Sequence, residues 1–536
     1  MKSKAANAGT NKRVVVIGFD MGDGGLIRKW SQDGYLPNFS SLITKGVWLD
    51  LETTASVLHT STWPTFATGD RPGRHGVYYP YQPMPGHQEA QLIRPDQYGS
   101  PTFWSRADRQ GLKGIVYDVP ETFPEEPFGG RAIFEWGTWA WYGTRASQPA
   151  GLLDEIRKRF GQYPLKMEAK RLGLRFPNLK MLERRLLRSI EHKRASFEWL
   201  LANNDWDLAV MVFGETHPAG HYFWPAGVAG APDTEDPSFD SMRQIYVAID
   251  DALGSLRKAL PDDATLILVS GDGVTANNCG WHLLPEVLDK LGHTSAPAQE
   301  PGANKGVRSA MSLGRIKGLL PNGARRFIAD HLPWWLRDKI GASMRSARID
   351  WRNSKAFALP TDLEGCIRIN LKDREPNGIV EAGKEYETLC QDIADQMKEL
   401  VNPATGKPAV GKVWIRNDVF AGPSQEYLPD ITVTWNNDAP ISALVSKRMG
   451  KVEGESPDPR TGTHSANGFC LVSGKEFSQG TTTRGRLIDV APTVLALLGA
   501  DWNGMDGRPL RIGPYQNYGD GQTGRVAASG VSGRTA

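Results

Sequence analysis

The sequence predicts an α/β protein: a mostly parallel central sheet with helices on both faces, extended by helical insertions. Two observations carry this. Four short runs, Val14–Phe19, Leu208–Phe213, Leu266–Val269 and Phe469–Val472, are continuously apolar and rich in β-branched residues. Runs of that kind are strands buried on both faces, unlike the alternating strands of a half-exposed sheet. Amphipathic helical patterns lie between them, as strand–helix–strand units require. The chain has 536 residues, with 40% hydrophobic and 23% charged content. That suffices for one large domain with insertions.

Taken in order, residues 1–12 are polar and expected to be disordered. Val14–Phe19 is the first strand, and Gly25–Gln32 the first helix. Leu152–Arg159 and Leu182–Asn203 follow as helices, then the strand Leu208–Phe213 and the helix Phe239–Leu260. After the strand Leu266–Val269 come the helix Lys384–Leu400 and the strand Phe469–Val472. The last helix, Leu487–Leu498, starts near Asp489 and stops at Gly499, a plausible cap and terminator. The main α/β domain is expected over residues 13–512, and the Gly/Ser-rich end, 513–536, is expected to be a flexible tail.

Two insertions interrupt the pattern, at about 137–200 and 290–356. The first is helical and charged, and is expected to form a cap. Within the second, residues 305–355 carry twelve Lys or Arg against three Asp, and include Pro333-Trp334-Trp335-Leu336. Such a segment suits a lid over an anionic substrate or a membrane surface; a solvated helical face explains it as well. The net charge of +3 is small for this length and gives no signal for nucleic acid. Cys279, Cys366, Cys390 and Cys470 form no CxxC pair and read as reduced, buried thiols. No apolar leader precedes the first strand, and no run reaches the roughly 18 apolar residues of a membrane span. The expected location is therefore cytoplasmic.

In open parallel sheets, ligands sit beyond the carboxyl ends of the strands. Here those ends deliver carboxylates and imidazoles. The first strand runs into Asp20. The second ends at Gly214-Glu215-Thr216-His217-Pro218-Ala219-Gly220-His221. The third ends at Ser270-Gly271-Asp272-Gly273, and Gly462-Thr463-His464 precedes the fourth. Carboxylate plus imidazole suits Zn, Mn or Fe. The four-residue spacing of His217 and His221 places both on one helix face, with Pro218 as the obstacle to a regular helix there. Hydroxyl residues Thr60, Ser61 and Thr62 precede a short apolar helix. At a helix start they read either as caps or as a nucleophile beside a phosphate-binding terminus.

Together these segments resemble the alkaline phosphatase superfamily, in its type I phosphodiesterase/nucleotide pyrophosphatase branch. The resemblance runs from Val14 to about Leu510. It is carried by Val14–Asp20, Leu36-Pro37-Asn38, Trp63-Pro64-Thr65-Phe66-Ala67-Thr68-Gly69, Pro72-Gly73-Arg74-His75-Gly76, Gly220-His221, Gly462-Thr463-His464, Asp489–Leu495 and Met505-Asp506-Gly507-Arg508-Pro509-Leu510. It implies two divalent metals about 4 Å apart, clamping an in-line displacement at phosphorus by a hydroxyl nucleophile. Zinc is the first choice, with Mn or Fe possible.

Carried over by position, Asp20, His221 and His464 match as metal ligands. His217 stands where this branch has an Asp, with Glu215 as a substitute. The Ser-Asp-His-Gly motif reads Ser270-Gly271-Asp272-Gly273, so Asp272 fills one position and Asn277, Asn278 or His282 the other. Ten residues before Gly69 is His59, where the nucleophile is expected; Thr60, one residue on, is the preferred nucleophile over Ser61 and Thr62. Arg368 and Arg374 face either an anionic substrate or structural partners. The expected function is metal-dependent hydrolysis of a small-molecule phosphoester, most simply a phosphodiester. The alternative is a catalytically reduced relative that binds a phosphorylated ligand or partner.

Overall fold

The computed structural model describes residues 12–513 except 95–96, 126–127, 138–144, 166–177, 226–236, 297–348, 417–419 and 478–479. The tail from 514, most of the basic 305–355 segment and its Pro-Trp-Trp-Leu run lie outside the described residues.

A nine-stranded sheet forms the centre. Its strands in chain order are β1 (Val14–Phe19), β2 (Val47–Glu52), β3 (Gly114–Tyr117), β4 (Arg131–Phe134), β5 (Ala146–Gln148), β6 (Leu208–Phe213), β7 (Thr265–Ser270), β8 (Gly468–Ser473) and β9 (Thr481–Arg486). Across the sheet the order is β9-β2-β8-β7-β1-β6-β3-β4-β5. β1 lies between β6 and β7, parallel to both. β8 is antiparallel to both its neighbours, β2 and β7. It was legible as a strand, but not in its direction, because burial on both faces produces the same apolar run in either sense.

Strand alternation divides the core in two. Val15 and Ile17 of β1 face helices α1 (Gly24–Gln32), α2 (Pro37–Lys45), α4 (Leu179–Asn203) and α6 (Pro237–Ala259). Val14 and Val16 face α3 (Thr62–Thr68) and α7 (Val490–Leu497). This is the period of two expected of a pleated strand covered on both sides. α4 corrects the expectation of a cap over 137–200. Its Leu182, Leu186, Ile190, Phe197 and Leu200 are buried in the core against the sheet, and its charges lie on the other face.

The sequence reading also missed a second lobe. Strands Ala356–Ala358, Gly365–Ile369, Ile431–Trp435 and Val410–Ile415 form an antiparallel sheet beside the helix Lys384–Lys398, around a separate apolar cluster. Among the described residues, no helix is long and apolar enough to cross a membrane.

Candidate metal centre and active site

The sheet brings the predicted residues together. Asp20 follows β1 directly. One of its oxygens, Oδ1, accepts the indole N–H of Trp63 at 2.9 Å, and Oδ2 lies 2.6 Å from Nδ1 of His217. The next residue, Met21, turns with φ of 63°, and its N–H donates to Oδ1 of Asp272 at 3.0 Å. The ends of β1 and β7 are thus tied together at the site.

His217 and His221 lie on α5 (Thr216–Phe223), a regular helix despite Pro218. Proline is tolerated there because it falls in the first turn, where its missing N–H has no intrahelical acceptor. The four-residue spacing brings the two rings together on one face, tilted by 59° with centroids 4.6 Å apart and Nε2 facing Nε2 at 2.8 Å. A two-stranded antiparallel sheet pairs Gly273–Ala276 with the sequence-distant Gly462–Ser465, setting Val274 opposite His464. It supplies the carbonyl of Gly462, which accepts Nδ1–H of His221 at 2.8 Å. It also places Nδ1 of His464 2.5 Å from Oδ2 of Asp272. Ligand atoms of His217, His221 and His464 all lie within 4.8 Å of one another.

These contacts decide where the protons sit. A carbonyl only accepts, so His221 carries its proton on Nδ1 and turns a lone pair outward at Nε2. The guanidinium of Arg460 confirms this, because a group with no acceptor lies 3.1 Å from that same Nε2. A carboxylate at Nδ1 of His217 orders that ring in the same way. Burial holds the His221 imidazole well below its ordinary range, with Arg460 adding to the effect, and burial pushes His464 down to about 3. Burial, then the neighbouring Asp20, raises the carboxyl of Asp272, whose Oδ2 lies against Nδ1 of His464. A cation at Nε2 of His464 would place a proton on Nδ1, toward Asp272.

The turn expected to hold the nucleophile is a 3₁₀ turn over His59–Ser61. Neither Thr60 nor Ser61 caps α3 with its side chain. The Thr60 hydroxyl donates to the carbonyl of Tyr78, Ser61 to Val77 and Thr62 to His59. Thr60 nonetheless lines a cavity of about 20 Å³ with Asp20, His217, Asp272 and His464. That is room for one water-sized occupant. Trp63, Pro120, Glu121, His59 and Asp362 complete its wall.

Several substitutes proposed from sequence stand elsewhere. Glu215 is buried against Tyr163 and Lys193. Asn277 bonds Asp458, Asn278 bonds Asn437, and His282 lies 3.0 Å from the Gly454 carbonyl. Arg368 and Arg374 form buried ion pairs with Glu375 and Asp430, the structural alternative for both. Gly271 has no room for a side chain, because a Cβ there would lie 2.0 Å from Cγ2 of Thr62.

Sequence reasoning missed Asp362, Glu364 and Arg460, and read His59 only as the position where the nucleophile is expected. His59 is clamped by Glu364 at Nδ1 (2.8 Å) and Asp362 at Nε2 (3.3 Å). Burial alone would depress its pKa, but the two carboxylates outweigh burial and hold it up to about 10. Arg460 bonds Asp458 and Asp362. The usable signals were Asp362 and Glu364 just before a strand, and Arg460 two residues before Gly462-Thr463-His464.

Against this geometry, the profile of the family described as "Type I phosphodiesterase / nucleotide pyrophosphatase" matches residues 14–442. The chain belongs to that family. Its place in the alkaline phosphatase superfamily and its fold follow, and the family's chemistry is phosphoester hydrolysis. Among solved structures, murine ectonucleotide pyrophosphatase/phosphodiesterase 5 is similar at 13% identity and a TM-score of 0.48, over 92% of this chain and 97% of that one. An inactive variant of the murine protein in complex with AMP gives the same values. The human protein is similar at 13% identity and a TM-score of 0.47, with the same shares covered. No curated protein matches the chain in sequence.

Proposed function

We propose that this chain hydrolyses small-molecule phosphoesters, phosphodiesters foremost, with a divalent metal held by His217, His221 and His464. The convergence of three buried imidazoles, two with Nε2 atoms 2.8 Å apart, supports this reading above any other observation. Lone pairs so close repel unless a proton or a cation lies between them. Three imidazoles suit zinc first, with Mn or Fe as alternatives. When bound, such an ion would polarise a phosphoryl oxygen and activate an attacking oxygen.

The chain's own residues supply the rest. Thr60 is proposed as the nucleophile: its hydroxyl turns from the Tyr78 carbonyl into the cavity, an O–P bond forms as the bond to the leaving ester oxygen breaks, and the Thr60 proton passes to that oxygen, which departs as an alcohol. Water then cleaves the Thr60–phosphoryl bond, returning a proton to Thr60 and releasing a phosphomonoester from a diester or phosphate from a monoester. Arg460 and the clamped His59 present positive charge to the phosphoryl oxygens. The cytoplasmic location remains a proposal, supported by four free, buried cysteines.

The test is hydrolysis of bis-p-nitrophenyl phosphate and of p-nitrophenyl phosphate by metal-replete protein, with Asp20→Ala, His464→Ala and Thr60→Ala beside it. Loss of at least 100-fold in the first two is expected, and unchanged rates in both would refute the reading. A second reading, a catalytically reduced binding protein, draws on the missing carboxylate at Gly271. Metal-replete protein that turns over neither ester yet binds a phosphorylated ligand would favour it.

A further inference from the structure

We infer that the centre holds one metal ion, bound by three imidazoles, and that Asp20 and Asp272 orient those imidazoles rather than coordinate metal. This rests on the metal-dependent reading above and departs from the two-metal arrangement that the family implies.

The argument begins with what each carboxylate touches. In the family's arrangement Asp20 is a ligand, and an Asp-His pair from the third strand end completes its site. Here both oxygens of Asp20 are engaged by protein, Oδ1 by the Trp63 indole and Oδ2 by His217. Both oxygens of Asp272 are engaged too, Oδ1 by the backbone of Met21 and Oδ2 by His464. A carboxylate on Nδ1 of an imidazole whose Nε2 faces a metal is the usual outer support of a histidine ligand. It fixes the ring and raises its basicity. The Gly462 carbonyl does the same for His221. All three imidazoles thus have an Nδ1 partner, which makes Nε2 the atom that would face an ion; at His221 the ion would take the place of the Arg460 N–H, 3.1 Å from that atom.

The residues for a second ion do not fit. Gly271 offers no ligand atom, and Thr62 fills the space where one would be. The Thr60 hydroxyl is engaged by the Tyr78 carbonyl. His59 is held between two carboxylates that lie outside the imidazole trio. Among the described residues, the trio is the one group of three or more His, Cys, Asp or Glu with ligand atoms in mutual reach. Three imidazoles leave an open position on a tetrahedral ion, as catalytic zinc sites do.

The experiment is titration of chelator-stripped full-length protein with Co²⁺, followed by visible absorption and by elemental analysis after gel filtration. One equivalent per chain is expected at the end point. His221→Ala, with its fold checked by circular dichroism, should lose the ion. Asp272→Asn should keep a one-equivalent end point with affinity lowered about 10- to 100-fold. Two equivalents in the wild type, or none, would overturn the inference, as would an end point that falls from two to one in Asp272→Asn. Ester hydrolysis on the same preparations separates the two readings. Two ions with turnover overturn only the one-metal inference. One ion without turnover leaves it standing and overturns the hydrolase reading.

Discussion

Gly271 is the position where the departure from the family can be tested by stability alone. An alanine there would set its methyl 2.0 Å from Cγ2 of Thr62 and 2.9 Å from Cδ2 of Leu487. Carbon atoms rest at about 3.5–4.0 Å, so the first contact must open by roughly 1.5 Å. Leu487 ends in a movable methyl. Thr62 cannot rotate away cheaply, because its hydroxyl donates to the His59 carbonyl at 2.6 Å and holds the 3₁₀ turn beside the site. Overpacking of a rigid core costs about 1–3 kcal/mol, and the upper half of that range is expected for Gly271→Ala in urea unfolding. Thr62→Ser removes the clashing methyl and keeps the hydroxyl. Combined with Gly271→Ala it should recover more than half of the loss, a coupling of at least about 1 kcal/mol. A Gly271→Ala variant within about 0.5 kcal/mol of wild type, or no recovery in the double variant, would refute the steric argument. The family's Asp should be tolerated still less than Ala, so restoring it alone should add no metal.

Two further predictions concern buried charge. Lys193 is fully buried, bonded to Asp118 at 3.0 Å and near Glu215 at 3.7 Å. Lys193→Met should destabilise the fold by about 3–5 kcal/mol in urea unfolding, because it strands two carboxylates away from water; a loss under about 1 kcal/mol would mean that the pair is not load-sharing in the fold. His59 is raised from its ordinary 6.5 to about 10, so between those values the folded chain holds a proton that the unfolded chain has released. Its contribution is full below about pH 6.5 and is lost as pH rises through about 10. Glu364→Gln should flatten that alkaline loss in stability measured from pH 6.5 to 10, and an unchanged slope would show that His59 is not held charged.

The five residues first chosen from the sequence as ligands, Asp20, His217, His221, Asp272 and His464, lie together in the fold, and for a physical reason. Asp20 and Asp272 follow the carboxyl ends of the adjacent strands β1 and β7, His217 lies in the helix that follows β6, and His464 is carried in by a strand paired with Gly273–Ala276, just after β7. Position along a parallel sheet is therefore legible from apolar runs alone. Partners brought in from far along the chain are not. Glu364 meets His59 across 305 residues of sequence, and Asp362 and Glu364 introduce a lobe whose strands are short and not continuously apolar. α4 was misread as a cap because its charges are conspicuous in sequence, whereas its buried stripe shows only at helical spacing.

The two substitutions that looked like losses act together. With His at 217, Asp20 gains an imidazole to orient; with Asp at 272, His464 gains a carboxylate. Each change supplies one half of a carboxylate–imidazole pair whose other half the family already had. The third departure, Gly271, removes a ligand and admits the Thr62 methyl, which steadies the His59 turn. Read singly, the three substitutions dismantle a two-metal site. Read through their hydrogen bonds, they turn both carboxylates onto imidazoles, the geometry from which the one-metal proposal is argued and which residue types alone do not display.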